Sequence, residues 1–86
     1  MPPIRILYFA WLKDRLGHGE EQLELPEGVT TIGGLRSWMR ARGPLFEAVF
    51  AEGGRIRAAV NQDFASDDVP VHAGDEVAFF PPVTGG

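Results

Sequence analysis

At 86 residues, with 44% hydrophobic positions and a formal net charge of -4, the sequence fits one small domain, short of the length at which a single core divides. The acidic balance and the single lysine, Lys13, speak against nucleic acid, because strand and duplex binders gather basic side chains and aromatics on one face. Without cysteine there is no disulfide frame, no thiolate metal site and no thiol nucleophile. Apolar stretches last only a few residues and Arg5 comes almost at once, so neither a signal peptide nor a membrane span is expected, and the reading is cytoplasmic. Arginines collect in the middle (Arg36, Arg40, Arg42, Arg55, Arg57) and acids around Glu20 to Glu27 and Asp63 to Glu76, which reads as solvated faces.

Residues 4–10 (IRILYFA) are rich in β-branched and aromatic side chains and predict a central strand, with Ile4, Ile6 and Tyr8 on one face and Leu7 and Phe9 on the other. Leu12 and Leu16, four apart before Gly17, predict a short helix with a left-handed glycine end. Residues 21–25 (EQLEL) alternate and predict the second strand of a hairpin, Leu23 and Leu25 inward, broken by Pro26 and Gly28. Thr30 or Thr31 then caps the main helix, in which Ile32, Leu35, Trp38 and Met39 recur at helical spacing until Gly43-Pro44. Gly33-Gly34 in its first turn predicts either fraying or a close approach to the sheet. Pro44 opens a second short helix carrying the pairs Leu45 with Val49 and Phe46 with Phe50. Gly53-Gly54 reads as a turn, residues 57–61 (RAAVN) as a strand, Phe64-Ala65 as a short one, and residues 76–80 (EVAFF) as the last.

The expected fold class is α+β, a mixed sheet of about five strands with a hairpin at each end and one main helix across one face. The domain spans 1–80, and 81–86 form an extended tail. The first and last strands alternate least and belong at the sheet centre. Its second face would then expose Leu7, Phe9, Ala59 and Phe80, a patch larger than a small monomer leaves open, for which a protein partner is the natural cover.

Chemistry-bearing clusters are few. His18 and His72 each sit beside a glycine-containing turn rather than near a carboxylate at metal-ligand spacing, so no metal is expected. Ser37 and Ser66 lack a base at motif spacing. The acid pairs Asp67-Asp68 and Asp75-Glu76 lie in turns beside Pro70 and Gly74 and read as solvated rather than as acid/base machinery. What stands out is the closing stretch 79–86, FFPPVTGG. Pro81-Pro82 stiffens an extended exit, Val83 and Thr84 are the last side chains a partner can read, and Gly85-Gly86 add nothing to a core. One reading is a frayed terminus. The other is mechanical: a carboxylate on an arm without Cβ atoms can thread a narrow channel and be converted by a partner's ATP chemistry into an acyl-adenylate. That electrophile would accept an amine, a thiol or a sulfide.

The stretches 58–62 (AAVNQ), 74–86 (GDEVAFFPPVTGG) and 4–17 (IRILYFAWLKDRLG) resemble the small, sulfur-carrying subunits of molybdopterin synthase, proteins of ubiquitin-like β-grasp fold, nearly end to end. The resemblance implies that Gly86 is adenylated by an E1-like enzyme using ATP and magnesium and then thiocarboxylated from a sulfurtransferase or sulfide source. It implies that Gly85, Thr84, Val83, Pro82 and Pro81 thread into the large synthase subunit, where sulfur passes to cyclic pyranopterin monophosphate. Phe80, Phe9, Leu7 and Ala59 would dock. It further implies a heterotetramer of two small and two large subunits, no cofactor or metal bound to this chain, no catalysis by it alone, and no nucleic-acid or membrane partner. Gly33-Gly34 and residues 43–55 are less typical of the family. A carrier serving thiazole or tungsten cofactor synthesis, or a ubiquitin-like modifier joined through Gly86 to protein lysines, stays open beside it.

Overall fold

The computed structural model describes residues 2–51 and 56–82. Strand β1, Ile4–Tyr8, buries Ile4, Ile6 and Tyr8. It is shorter than the apolar run 4–10, because Ala10 turns to a positive φ of 58° and leads the chain into helix α1, Trp11–Leu16. Gly17 ends α1 at φ 86°, its N–H donating to Lys13 O, a conformation that costs glycine nothing. Strand β2, Glu20–Leu23, returns antiparallel to β1. Leu25 lies beyond that ladder, though both Leu23 and Leu25 pack against the core.

Helix α2, Ile32–Arg40, is capped by Thr31, whose hydroxyl accepts from Gly34 N at 3.1 Å. Such a cap contributes about 1 kcal/mol over alanine. Gly33 is neither frayed nor pressed on the sheet. Its N–H donates to Asp67 O at 2.8 Å, and a Cβ there would stand 3.1 Å from Asp67 Cβ and O, so the glycine admits the loop before the last strand. Helix α3, Pro44–Phe50, starts with proline at a position that needs no N–H. The glycine pair at 53–54 lies outside the described residues.

Strands β3 (Arg57–Val60), β4 (Asp63–Ala65) and β5 (Glu76–Phe80) complete a five-stranded sheet of order β2-β1-β5-β3-β4. The first and last strands lie side by side and parallel, inside the sheet. The second hairpin is β3–β4, joined by Asn61 and Gln62 at φ 50° and 75°, as a two-residue loop requires. It does not involve β5, which instead fits between β1 and β3.

All three helices supply the core on one face of this mixed sheet: Leu12 and Leu16 from α1, Ile32, Leu35 and Met39 from α2, Val49 and Phe50 from α3. They meet Ile4, Ile6, Tyr8, Val77 and Phe79, and Phe50 stands edge-on to Phe79 with ring centres 5.1 Å apart. Each large apolar side chain buried here contributes about 1.5–3 kcal/mol.

Candidate functional site

Strand β5 carries the chain from the sheet centre to the tail. Phe79 is fully buried, and its carbonyl accepts from Phe9 N at 3.1 Å. The anchor is therefore held by packing and by the neighbouring strand. Phe80 and Pro81 are half-buried and Pro82 is exposed. Val83, Thr84, Gly85 and Gly86 lie outside the described residues.

Period-two alternation sends every second residue of the five strands to the face away from the helices. The registers Glu20↔Leu7, Leu7↔Ala78, Ala78↔Ala59 and Ala59↔Phe64 set one row across that face, and Phe80↔Arg57 the next row toward the tail. Leu7, Ala78 and Phe80 are half-buried, while Phe9 is 49% and Phe64 82% exposed. Ala59 does not fit the expectation of an exposed patch residue: at 8% it is buried. Its methyl group stands across the ladder from the much larger Phe64. Its cross-strand partner Phe64 takes the exposed place, with its ring 5.8 Å from that of Phe80. Sequence reasoning missed Phe64 as a patch residue. The signal was present in the two-residue turn Asn61-Gln62, which pairs 63 with 60 and so sets 64 opposite 59.

Beyond the apolar row the same face becomes polar. Arg5 bonds Glu20 at 3.1 Å and approaches Glu76 at 3.6 Å. At the tail end a cleft of about 670 Å³ opens between Arg36, Arg57, Phe64, Phe80 and Pro82. Arg36 is committed to structure: its Nη1 donates to Ile56 O at 2.6 Å and its Nε to Asp67 Oδ1 at 3.2 Å, with the guanidinium 5.9 Å from the Phe79 ring centre. It thus ties α2 to the start of β3 and to the connection ahead of β5.

A second polar cluster lies at the edge of the helical layer. Glu21 Oε2 accepts from Tyr8 Oη at 2.6 Å and from Arg42 Nη1 at 2.9 Å, with His18 Nε2 at 3.5 Å. Arg42 also covers the ring of Phe46 at 4.4 Å and that of Trp38 at 5.2 Å. Burial and the Glu21 carboxylate push the Tyr8 phenol far above its ordinary range. For Glu21, burial raises the pKa, but hydrogen bonds from Arg42 and Tyr8 outweigh it and the carboxyl titrates below its ordinary value of 4.5. Each histidine faces a carboxylate three positions on, contrary to the sequence expectation: His18 meets Glu21 at 3.5 Å and His72 meets Asp75 at 3.8 Å. Among the described residues no three His, Asp or Glu side chains gather as a metal site would require, and no helix is long and apolar enough to cross a membrane. The described side chains offer an anchored strand, a partly exposed apolar face and a cleft.

Residues 6–86 match the model of the ThiS family. The chain is 42% identical over 83 residues to the molybdopterin synthase sulfur carrier subunit of Escherichia coli K12, covering 96% of this chain and 99% of that one. Among solved structures, SAMP1 from Haloferax volcanii superposes with a TM-score of 0.76 at 27% identity, covering 98% of this chain and 99% of that one. The complex of subunits 1 and 2 of the molybdopterin-converting factor from Helicobacter pylori contains a chain of the same fold, with a TM-score of 0.64 at 19% identity, covering 98% of this chain and 99% of that one. The fold is the ubiquitin-like β-grasp.

Proposed function

The chain belongs to the ThiS family, and on that footing we propose that it is a sulfur carrier of molybdenum cofactor biosynthesis, the small subunit of a cytoplasmic molybdopterin synthase. The observation that carries the reading is the end-to-end likeness to the Escherichia coli sulfur carrier subunit, at 42% identity over 96% of this chain. The geometry is in keeping with it. Phe79 anchors the exit strand, Phe80 and Pro81 leave the sheet beside an apolar face, and Gly-Gly follows in sequence.

In the proposed reaction sequence an E1-like partner holds ATP and magnesium. An oxygen of the Gly86 carboxylate attacks the α-phosphorus of ATP, and pyrophosphate leaves. Hydrosulfide delivered by a sulfur source then attacks the carbonyl carbon of the acyl-adenylate, AMP departs as the leaving group, and a proton is released to leave a thiocarboxylate. The large synthase subunit takes up residues 81–86, and the terminal sulfur attacks an oxygen-bearing carbon of cyclic pyranopterin monophosphate, forming a C–S bond as the C–O bond breaks and the oxygen keeps the electron pair and takes up a proton. Water hydrolyses the resulting thioester, restoring the Gly86 carboxylate and leaving sulfur on the pterin. Activation makes a poor electrophile reactive, and small residues near the end permit close approach of the backbone to the reacting centres. This chain supplies the nucleophile's carrier and the docking face, while the large subunit supplies the catalytic side chains.

Intact-mass spectrometry of protein isolated from its native cell tests the proposal. Replacement of one oxygen by sulfur at Gly86, dependent on the activating enzyme and ATP, is the expected result. The likeness to SAMP1 favours a second reading, transfer of Gly86 to protein lysines. Lysine conjugates with no thiocarboxylate would select that reading and sink the first.

A further inference from the structure

Every arginine among the described residues except one is engaged. Arg5 pairs with Glu20, Arg36 with Asp67, Arg40 with Glu47 and Arg42 with Glu21, and Arg15 lies over the Trp11 ring at 5.7 Å. Arg57 is exposed and has neither a carboxylate nor a ring partner among the described residues. Its position is the opposite of neutral. It opens β3 directly across from Phe80, on the face away from the helices, and lines the tail cleft with Phe64 and Pro82. An unpaired cation therefore stands beside the apolar row at its tail end, in a cleft that the mutually paired Arg36 and Asp67 also line.

Covering that surface removes Arg57 from water. A desolvated guanidinium without a counter-charge opposes association, whereas a carboxylate in its fork gives two parallel charge-assisted bonds and fixes orientation. We propose that Arg57 is a specificity-determining residue of the docking face, and that the surface seated on Leu7, Phe64 and Phe80 is apolar but presents one acidic side chain to Arg57. This rests on the carrier reading and deepens it by naming the chemistry of the partner's contact. The like charges elsewhere on the face are already neutralised internally, Arg5 by Glu20 and Glu76, so Arg57 is where charge complementarity can set the register of the approaching partner.

The test is a titration of the full-length carrier against the large synthase subunit encoded in the same genome, at low and high salt, for wild type, Arg57→Ala and Arg57→Glu. Thermal melting of each accompanies it. Arg57→Ala is expected to weaken binding about tenfold and to flatten the salt dependence, and Arg57→Glu to weaken it at least about tenfold further through repulsion of the partner's acid. Melting temperatures should stay together, because an exposed side chain at the strand start holds no core. Equal affinities and equal salt responses for the three proteins overturn the role of Arg57 while leaving the docking face in place. A wild-type carrier that does not bind the large subunit overturns the carrier reading itself, and the inference falls with it.

Discussion

The two faces of the sheet are built from the same five strands and are covered very differently. On the helical face Ile6, Val77 and Phe79 are fully buried in one apolar cluster. On the opposite face Leu7, Ala78 and Phe80 are half covered and Phe64 stands 82% exposed. Neighbours in sequence, Phe79 and Phe80, thus lie on separate faces, the first packed in the core and the second half-covered on the face proposed to dock. Alternation along an extended strand is the reason, since a shift of one residue moves a side chain to the other face.

That division can be broken in graded ways. The largest effect is expected from removing Gly86: thiocarboxylate formation should be lost entirely in an activation assay, while the melting temperature stays at the wild-type value. A marked loss of stability would mean the closing residues contribute to packing and would contradict the division. Next comes Phe79→Ala, expected to cost about 3–5 kcal/mol in denaturant unfolding, through lost contacts and the cavity left beside Phe50. By contrast Phe80→Asp and Phe64→Asp should each change stability by less than about 1 kcal/mol and weaken binding to the large subunit about tenfold or more. If calorimetry and binding titrations on the same variants reversed that order, the open face would be structural.

Smaller effects probe the edge of the closed face. Glu21→Gln leaves Arg42 and Tyr8 a weaker acceptor and should cost about 1–3 kcal/mol at neutral pH. Because the folded pKa of Glu21 lies below 4.5, its contribution is present above that pH and is lost as pH falls through the folded pKa. The wild-type protein should therefore lose stability in acid more steeply than the glutamine variant, as urea midpoints between pH 5 and 3 would show. The smallest expected change is a gain. Gln62 adopts φ 75°, a conformation costing non-glycine residues about 1 kcal/mol, so Gln62→Gly should raise stability by up to that amount while leaving both faces unchanged.

Much of this was legible locally. The last strand has the bounds its hydrophobic run implies, 76–80, and a threonine cap was expected at 30 or 31, of which the structure uses Thr31. The first strand was overextended, because the apolar run 4–10 does not reveal that Ala10 turns to a positive φ. Ala59 and Phe64 were misjudged together. Alternation assigns a residue to a face, but exposure on that face depends on which larger neighbour stands across the ladder. The Glu21 cluster was likewise hidden, because its members come from β1, β2, the α1–β2 turn and the segment after α2.

By itself the sequence determined the alternation of each strand, the helix starts and stops, the absence of thiol chemistry and a terminal run of small residues beyond a stiff Pro-Pro. Those are properties of nearest neighbours, governed by backbone sterics and side-chain type. The interior place of the first and last strands was also legible, but only the tertiary structure decided that β5 pairs parallel with β1 and antiparallel with β3, that Phe64 rather than Ala59 shows on the open face, and that Arg57 stands unpaired beside Phe80 among the described residues. Those outcomes depend on pairing between distant segments, where closure of the core selects the partner that no local pattern names.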